Sequence, residues 1–357
     1  MHRRVVVLVT CVVVLVVVAG VVAWRVLGGS STYTSALSLL PPSTLRTTYT
    51  DWQVVREQAR GENLDAGSSR SAVQGFLTRA YDLDLTQGSA IDESTVALQE
   101  LYGFSPLNTR WEVFGQSRQG QVDVLRLDDD VDLPGVERAL RRLGYTAPAG
   151  GSDRGGTWVA TPEKISALGT TLTPVQQNVV VLPDQHLVLM SDAEAYASSA
   201  ARLIRDGGRS LADVAGVSSL TSHVGDPAAA EQWTSTFACE DLTMGSADDD
   251  DQATGKTLVR EAGGISPLEG LVMAQLPSRR LVVGMHFETS SQASRNLQPR
   301  TDLASGDAPG QGGSFRDRFR VTSGEADGQD VVLQLRPASQ RPVLSDLSSG
   351  PVLFATC

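Results

Sequence analysis

Lysine is almost missing from this chain: only Lys164 and Lys256 occur, and the other basic residues are arginines. With a formal net charge of -11, the chain is not expected to bind nucleic acid, because phosphate contacts need clustered basic side chains. Aromatic residues make up 5%, which argues against a sugar-stacking cleft. The motifs of the common hydrolases are also missing. There is no Gly-x-Ser-x-Gly, no His-Glu-x-x-His, and no Ser-x-x-Lys; "TPEK" carries Thr161 where the serine would stand. Gly255-Lys256-Thr257 ends like a phosphate-binding loop, but Asp250 occupies the position of the first glycine, and a carboxylate there repels phosphate. The four histidines are single and far apart. Carboxylate pairs for glycoside chemistry need no local spacing, so the sequence is silent on them. No catalytic residue and no cofactor is expected.

Charge is missing altogether from a stretch near the start. Val5 to Trp24 is uncharged and mostly apolar, and as a helix it spans about 30 Å, the thickness of a bilayer's hydrocarbon core. Arg3 and Arg4 precede it, which places the N-terminus in the cytoplasm, and Trp24 falls at the far interface. The expectation is a signal-anchor that holds residues 5–24 in the lipid bilayer and leaves residues 30–357 outside the cell membrane. Two other readings compete. A cleaved signal peptide would use "VVA" at Val21 to Ala23, although the apolar run exceeds an ordinary h-region. A lipoprotein would use "LVTC" ending at Cys11, although Thr10 stands where a smaller residue is expected.

Cysteine is scarce as well. Beyond Cys11 only Cys239 and Cys357 are left, and two cysteines in an oxidising compartment usually pair. Both follow a Phe-containing apolar stretch, "STFAC" and "PVLFATC". This predicts a Cys239–Cys357 disulfide between two neighbouring strand ends.

With 41% hydrophobic residues the chain can build a sizeable core. Residues 30–42, with Ser, Thr and a double proline, read as a linker. "STLRTTYTDW" reads as a strand, and residues 43–105 continue with helices over "QVVREQARG", "SRSAVQGFLTRAY" and "DESTVALQELYGF". A hairpin-then-helix rhythm follows. "TRWEVFGQS" and "QVDVLRL" precede the helix "DLPGVERALRRLGY", with Asp132 as its cap. "NVVVLP" and "HLVLMS" precede "DAEAYASSAARLIRDGG", capped by Asp192. "GLVMAQL" and "LVVGMHFE" precede "SSQASRNLQ", and a fourth, less regular unit closes with the strand "PVLFATC". The prediction is an α+β fold of antiparallel sheets with helices on one face, in two subdomains at 106–235 and 236–357. Residues 148–156, 244–257 and 305–314 read as surface loops. Weak calcium sites are conceivable at Asp128 and Asp130 and at Asp248 and Asp250. For the first pair, helix capping is the simpler reading; for the second, a solvated acidic loop.

The runs "ALSLLPPSTLRTTYTDW", "GFSPLNTRWEVFGQSRQGQVDVLRL", "LRRLGY" and "TLTPVQQNVVVLPDQHLVLMSD" resemble an uncharacterised family of actinobacterial membrane-anchored exported proteins. The likeness covers most of residues 36–240. It implies an anchor, export and an α+β fold, and it assigns no catalytic residue. The resulting expectation is a non-enzymatic binding or interaction module at the cell envelope, with an envelope protein or ligand as partner. An envelope hydrolase with a site assembled from scattered residues, or a lipid or small-molecule carrier, is the alternative.

Overall fold

The computed structural model describes residues 31–149, 156–338 and 342–357. The apolar run Val5–Trp24 lies outside the described residues, and so does Cys11. Among the described residues no helix is long and apolar enough to cross a membrane.

Eleven strands form one antiparallel sheet: β1 (Arg46–Thr50), β2 (Thr109–Ser117), β3 (Gly120–Leu127), β4 (Thr157–Val159), β5 (Asn178–Leu182), β6 (Leu187–Ser191), β7 (Ala229–Thr234), β8 (Gly270–Gln275), β9 (Leu281–His286), β10 (Phe319–Asp327) and β11 (Asp330–Pro337). Their spatial order is β10-β11-β9-β8-β7-β1-β2-β3-β6-β5-β4. The two halves of this order run alike. From β1 outward the chain goes β2, β3, β6, β5; from β7 outward it goes β8, β9, β11, β10. The halves meet where β1 pairs antiparallel with β7.

The α+β class and the four hairpins stand as read from the sequence. The helices do not lie on one face. Val180, Leu189, Val124, Val113, Tyr49, Ala230, Ala274 and Val282 stand side by side across the sheet. They are buried under α1 (Thr32–Leu37), α7 (Glu194–Asp206) and α8 (Ala215–Val224). The opposite face is covered too. Over β2–β6 lie α2 (Trp52–Gln58), α3 (Arg70–Asp82), α4 (Thr95–Tyr102), α5 (Leu133–Leu143) and α6 (Pro162–Leu168). Over β7–β11 lie α9 (Phe237–Asp241), α10 (Asp249–Glu261), α11 (Ser290–Leu303) and α12 (Leu344–Ser348). The strands explain this. "NVVVL", "LVLMS" and "GLVMAQ" are apolar at consecutive positions, and every residue of β5, β6 and β8 is buried. A half-exposed strand would alternate.

Other departures have local causes. Residues 31–40, expected as linker, contain α1, and Tyr33, Ala36, Leu37 and Leu40 are fully buried on the sheet. The acidic stretch expected as a loop is the start of α10: Asp248 caps it by accepting from the Asp251 amide, and Asp249 to Asp251 occupy its first turn, where the helix dipole favours negative charge. Cys239 sits on the short α9, and "PVLFATC" forms a 3-10 turn over Leu353–Ala355, so neither cysteine ends a strand. Asp132 and Asp192 do not cap with their side chains. Asp132 accepts from Arg138 Nη2, and Asp192 accepts from the Gln121 amide. α11 runs on through Pro299 to Leu303.

Between the two cores of the second face lies a polar seam. Asp123, Phe114, Thr48 and Glu231 occupy one row across β3, β2, β1 and β7, and Glu112 and Thr50 the next. The loop after α3 lies over this seam and is tied to both halves. Asp84 accepts from the amides of Val343 (2.7 Å), Leu344 (2.5 Å) and Ser345 (3.2 Å), and Gln275 Nε2 donates to Leu83 O. Thr48 Oγ1 donates to Gly88 O, and a Cβ on Gly88 would come within 2.8 Å of Thr48 Cβ, so this crossing needs glycine.

Candidate functional site

Where the loop crosses the seam, it forms one wall of a cleft of about 880 Å³. The facing wall is α3, with Thr78 and Tyr81. The first turn of α4 and the 171–175 segment close the ends, and Phe114 and Gln121 of the β2–β3 hairpin contribute to the floor. The Tyr81 ring, 56% exposed, stands at this cleft.

The hydroxyls of the walls spend their protons inward. Ser89 Oγ donates to Glu112 (2.7 Å), Thr95 Oγ1 to Asp92 O (2.6 Å), Thr78 Oγ1 to Gln74 O (2.9 Å) and Ser94 Oγ to Thr171 O. Ser89 Oγ in turn accepts from the amides of Ile91 and Asp92 (both 3.1 Å), and Ser94 and Thr95 are buried, so of these four hydroxyls the exposed Thr78 offers lone pairs to the cleft. Asp92, Glu93 and Asp192 supply carboxylates, and among the described residues no lysine or arginine lines the cleft. Burial pushes the Asp92 carboxyl up to about 6, against the pull of the Glu93 amide that donates to it.

Two more carboxyls stand behind the loop. Glu112 is 1% exposed and accepts from Trp52 Nε1 (2.9 Å), Ser89 Oγ (2.7 Å) and the Ala90 amide (2.5 Å). Burial raises it to about 7 despite those three donors. Asp123 is fully buried, and among the described residues neither carboxyl oxygen has a hydrogen-bond partner. Burial first, and then the neighbouring Glu112, hold it well above the usual carboxylate range.

The residues singled out from the sequence lie elsewhere. Cys239 and Cys357 are bonded to each other, with Cα atoms 5.2 Å apart. Asp128 faces Arg56 and Arg110 at 3.2 and 3.6 Å, so its charge is already matched, and Asp130 beside it is exposed. Asp248 and Asp250 begin α10. Among the described residues no group of three or more His, Cys, Asp or Glu side chains is placed to hold a metal ion.

The fold assembles a second cluster that the spacing of its members hides. Asp330 accepts from Ser219 Oγ (2.5 Å), and it bonds His223 Nε2 (3.0 Å) and His286 Nδ1 (2.6 Å). These bonds hold its carboxyl below the usual range, although burial opposes them. The cluster borders a shallower polar depression that includes Glu288 and Asp327. Ser219 donates to the carboxylate and not to either imidazole, and that carboxylate, held below its usual range, is a weak base toward the hydroxyl.

The sequence reading missed Asp92, Glu112 and Asp123. "WEV" and "VDV" look like strands with one polar face in water, and the acids become notable only once both faces are covered. No family model matches the chain, and no curated protein matches it. The solved crystal form I of TP0453 is similar at 8% identity, over 88% of this chain and 98% of that chain, with a TM-score of 0.35. That likeness is too slight to bear on fold or function.

Proposed function

We propose that this chain is a membrane-anchored, extracytoplasmic protein of the actinobacterial type it resembles, and that it acts by binding a ligand or partner at the cell envelope in the cleft between α3 and the 83–94 loop. The cleft is the observation that carries the reading. It is large enough for a small molecule or a peptide side chain, and its lining brings together the carboxylates of Asp92, Glu93 and Asp192. The apolar run from Val5 to Trp24 behind Arg3 and Arg4 supports the anchor. The Cys239–Cys357 disulfide suits an oxidising compartment outside the membrane.

Two measurements test this. Protease added to spheroplasts should digest residues 30 onward, and protection of that part would overturn the topology. Photo-crosslinking from the cleft of the full chain in membranes should label an envelope component. Gln87→Trp, which places an indole at an exposed position of the cleft wall, should abolish that labelling. Equal labelling with the cleft blocked would overturn the binding reading.

A further inference from the structure

We infer that two copies of this chain join edge to edge: β10 of one pairs antiparallel with β10 of the other about a twofold axis, and the two sheets become one. The inference goes beyond the cleft reading and does not rest on it.

The first observation is an open edge. The sheet ends on one side in β4, which has three residues and a further bridge from Val159 to Thr146. It ends on the other in β10, which has nine, and among the described residues no strand pairs with its outer side. Thr322 to Asp327 are exposed. Unpaired amides and carbonyls along such an edge are a template for another strand. The Ala338 amide donates to the Arg318 carbonyl, so alternate residues from Ala338 back to Asp330 bond toward β10, and their partners there are Arg318, Arg320, Ser323, Glu325 and Asp327. Phe319, Val321, Gly324 and Ala326 therefore turn their peptide groups outward. The second observation is charge order. Along β10 the base comes first and the acids last: Arg320, then Glu325 and Asp327. Charges on an edge ordinarily deter pairing. Here their order deters only the parallel orientation, which sets like beside like; the antiparallel one sets opposite charges together.

The third observation is register. Residues opposite each other across the twofold axis must stand on the same face of the sheet. The bulge between Val321 and Ser323 shifts the alternation along β10. Phe319, Val321, Gly324 and Ala326 share the face of Leu333 and Leu335, toward α11; Arg320, Ser323, Glu325 and Asp327 share the other. The register that sets Phe319 opposite Ala326 satisfies this rule along its length. Val321 then meets Gly324, and these outward peptide groups exchange hydrogen bonds. Arg320 meets Glu325, and the symmetry makes that pair twice. It falls between the hydrogen-bonded pairs, where opposite side chains come closest. Arg320 gains a partner by it. Within the chain Arg320 stands opposite Arg336, a repulsive pairing, and among the described residues no ion pair engages Arg320, Arg336 or Glu325.

The test is sedimentation equilibrium of the full chain in detergent micelles. The wild type should show a reversible equilibrium between monomer and dimer. Glu325→Arg sets arginine against arginine at both symmetric pairs and should weaken the dimer about tenfold. Arg320→Glu/Glu325→Arg restores opposite charges at the same two positions, and it should recover the wild-type affinity. Both positions are exposed, so the circular dichroism spectra should remain native. A wild type that stays monomeric at all concentrations would overturn the inference. So would a dimer that Glu325→Arg leaves unchanged, since the contact would then lie elsewhere on the chain. A double variant as weak as Glu325→Arg would overturn it too, because the paired charges would then not be what joins the copies. None of these results bears on the cleft.

Discussion

The two halves of the sheet treat buried carboxyls in opposite ways. In the half around β7–β11 the buried charged groups are partnered, although among the described residues Gln232 Nε2, Thr234 Oγ1 and Arg300 Nε lack a hydrogen bond. Arg300 is fully buried on α11, yet it donates to the carbonyls of Phe354, Thr356 and Ser266 at 2.6 to 2.8 Å and lies over the Phe287 ring. Asp330 has three partners. The disulfide closes the same region, joining α9 to the end of the chain. In the half around β1–β6, Asp123 has no partner among the described residues, and Asp92 and Glu112 are held above their usual ranges. A buried polar group with all its bonds made contributes to stability. One left without them costs stability, and such costs concentrate where a ligand is to be met. The first half locks the C-terminus; the second holds the cleft.

Three substitutions would break or sharpen this contrast. The largest effect is expected from opening the disulfide. It closes a loop with a sequence separation of 118 residues, so the Cys239→Ala/Cys357→Ala variant should lose about 4–5 kcal/mol in urea unfolding under the chain-entropy model. A loss below about 1 kcal/mol would show that the Arg300 bonds hold the terminus alone. Next is Asp330→Ala, which strands two imidazoles and a hydroxyl and should cost about 3 kcal/mol. Opposite in sign is Asp123→Val. It replaces a partnerless carboxyl by a β-branched side chain of similar size between Phe114 and Met190, and it should stabilise the fold by about 1–2 kcal/mol at pH 7. If Asp123→Val instead destabilises as Asp330→Ala does, the two halves are alike and the contrast fails.

The sequence announced local structure far better than these groups. The hairpins were legible because turn residues interrupt β-branched runs, as at "RQG" between β2 and β3. Most helices were legible from apolar spacing. Coverage of both faces was written in the consecutive apolar residues of β5, β6 and β8, but a short apolar run does not say whether one layer or two will cover it. The acidic run at Asp248–Asp251 suggested a loop because four like charges repel, whereas at a helix N-terminus the same charges are favourable. The disulfide was legible from compartment logic, although its flanks are helical turns and not strands. The sites were not legible. Glu112 meets Ser89 and Ala90 across a loop, and Asp330 meets His223 and His286 across three elements. Such meetings are set by strand order, and no local spacing encodes it.

The smallest effect distinguishes the halves by pH. Glu112 titrates near 7 in the folded chain against about 4.5 for an ordinary glutamate, so the folded state binds more protons than the unfolded one across that interval. Its contribution to stability is complete below the unfolded value and is lost as pH rises through 7. Asp92, raised to about 6, has the same sign over a lower window. Asp330, held below its usual range, has the opposite sign: its contribution is present above the unfolded value and is lost as pH falls through the folded one. Stability should therefore drop by about 1 kcal/mol between pH 6 and pH 7 through Glu112. Glu112→Gln should flatten that slope, and Asp330→Ala should leave it unchanged. Urea midpoints for the wild type and both variants at the two pH values measure this. A slope undiminished in Glu112→Gln would mean that the carboxyl behind the cleft wall is already ionised at pH 6.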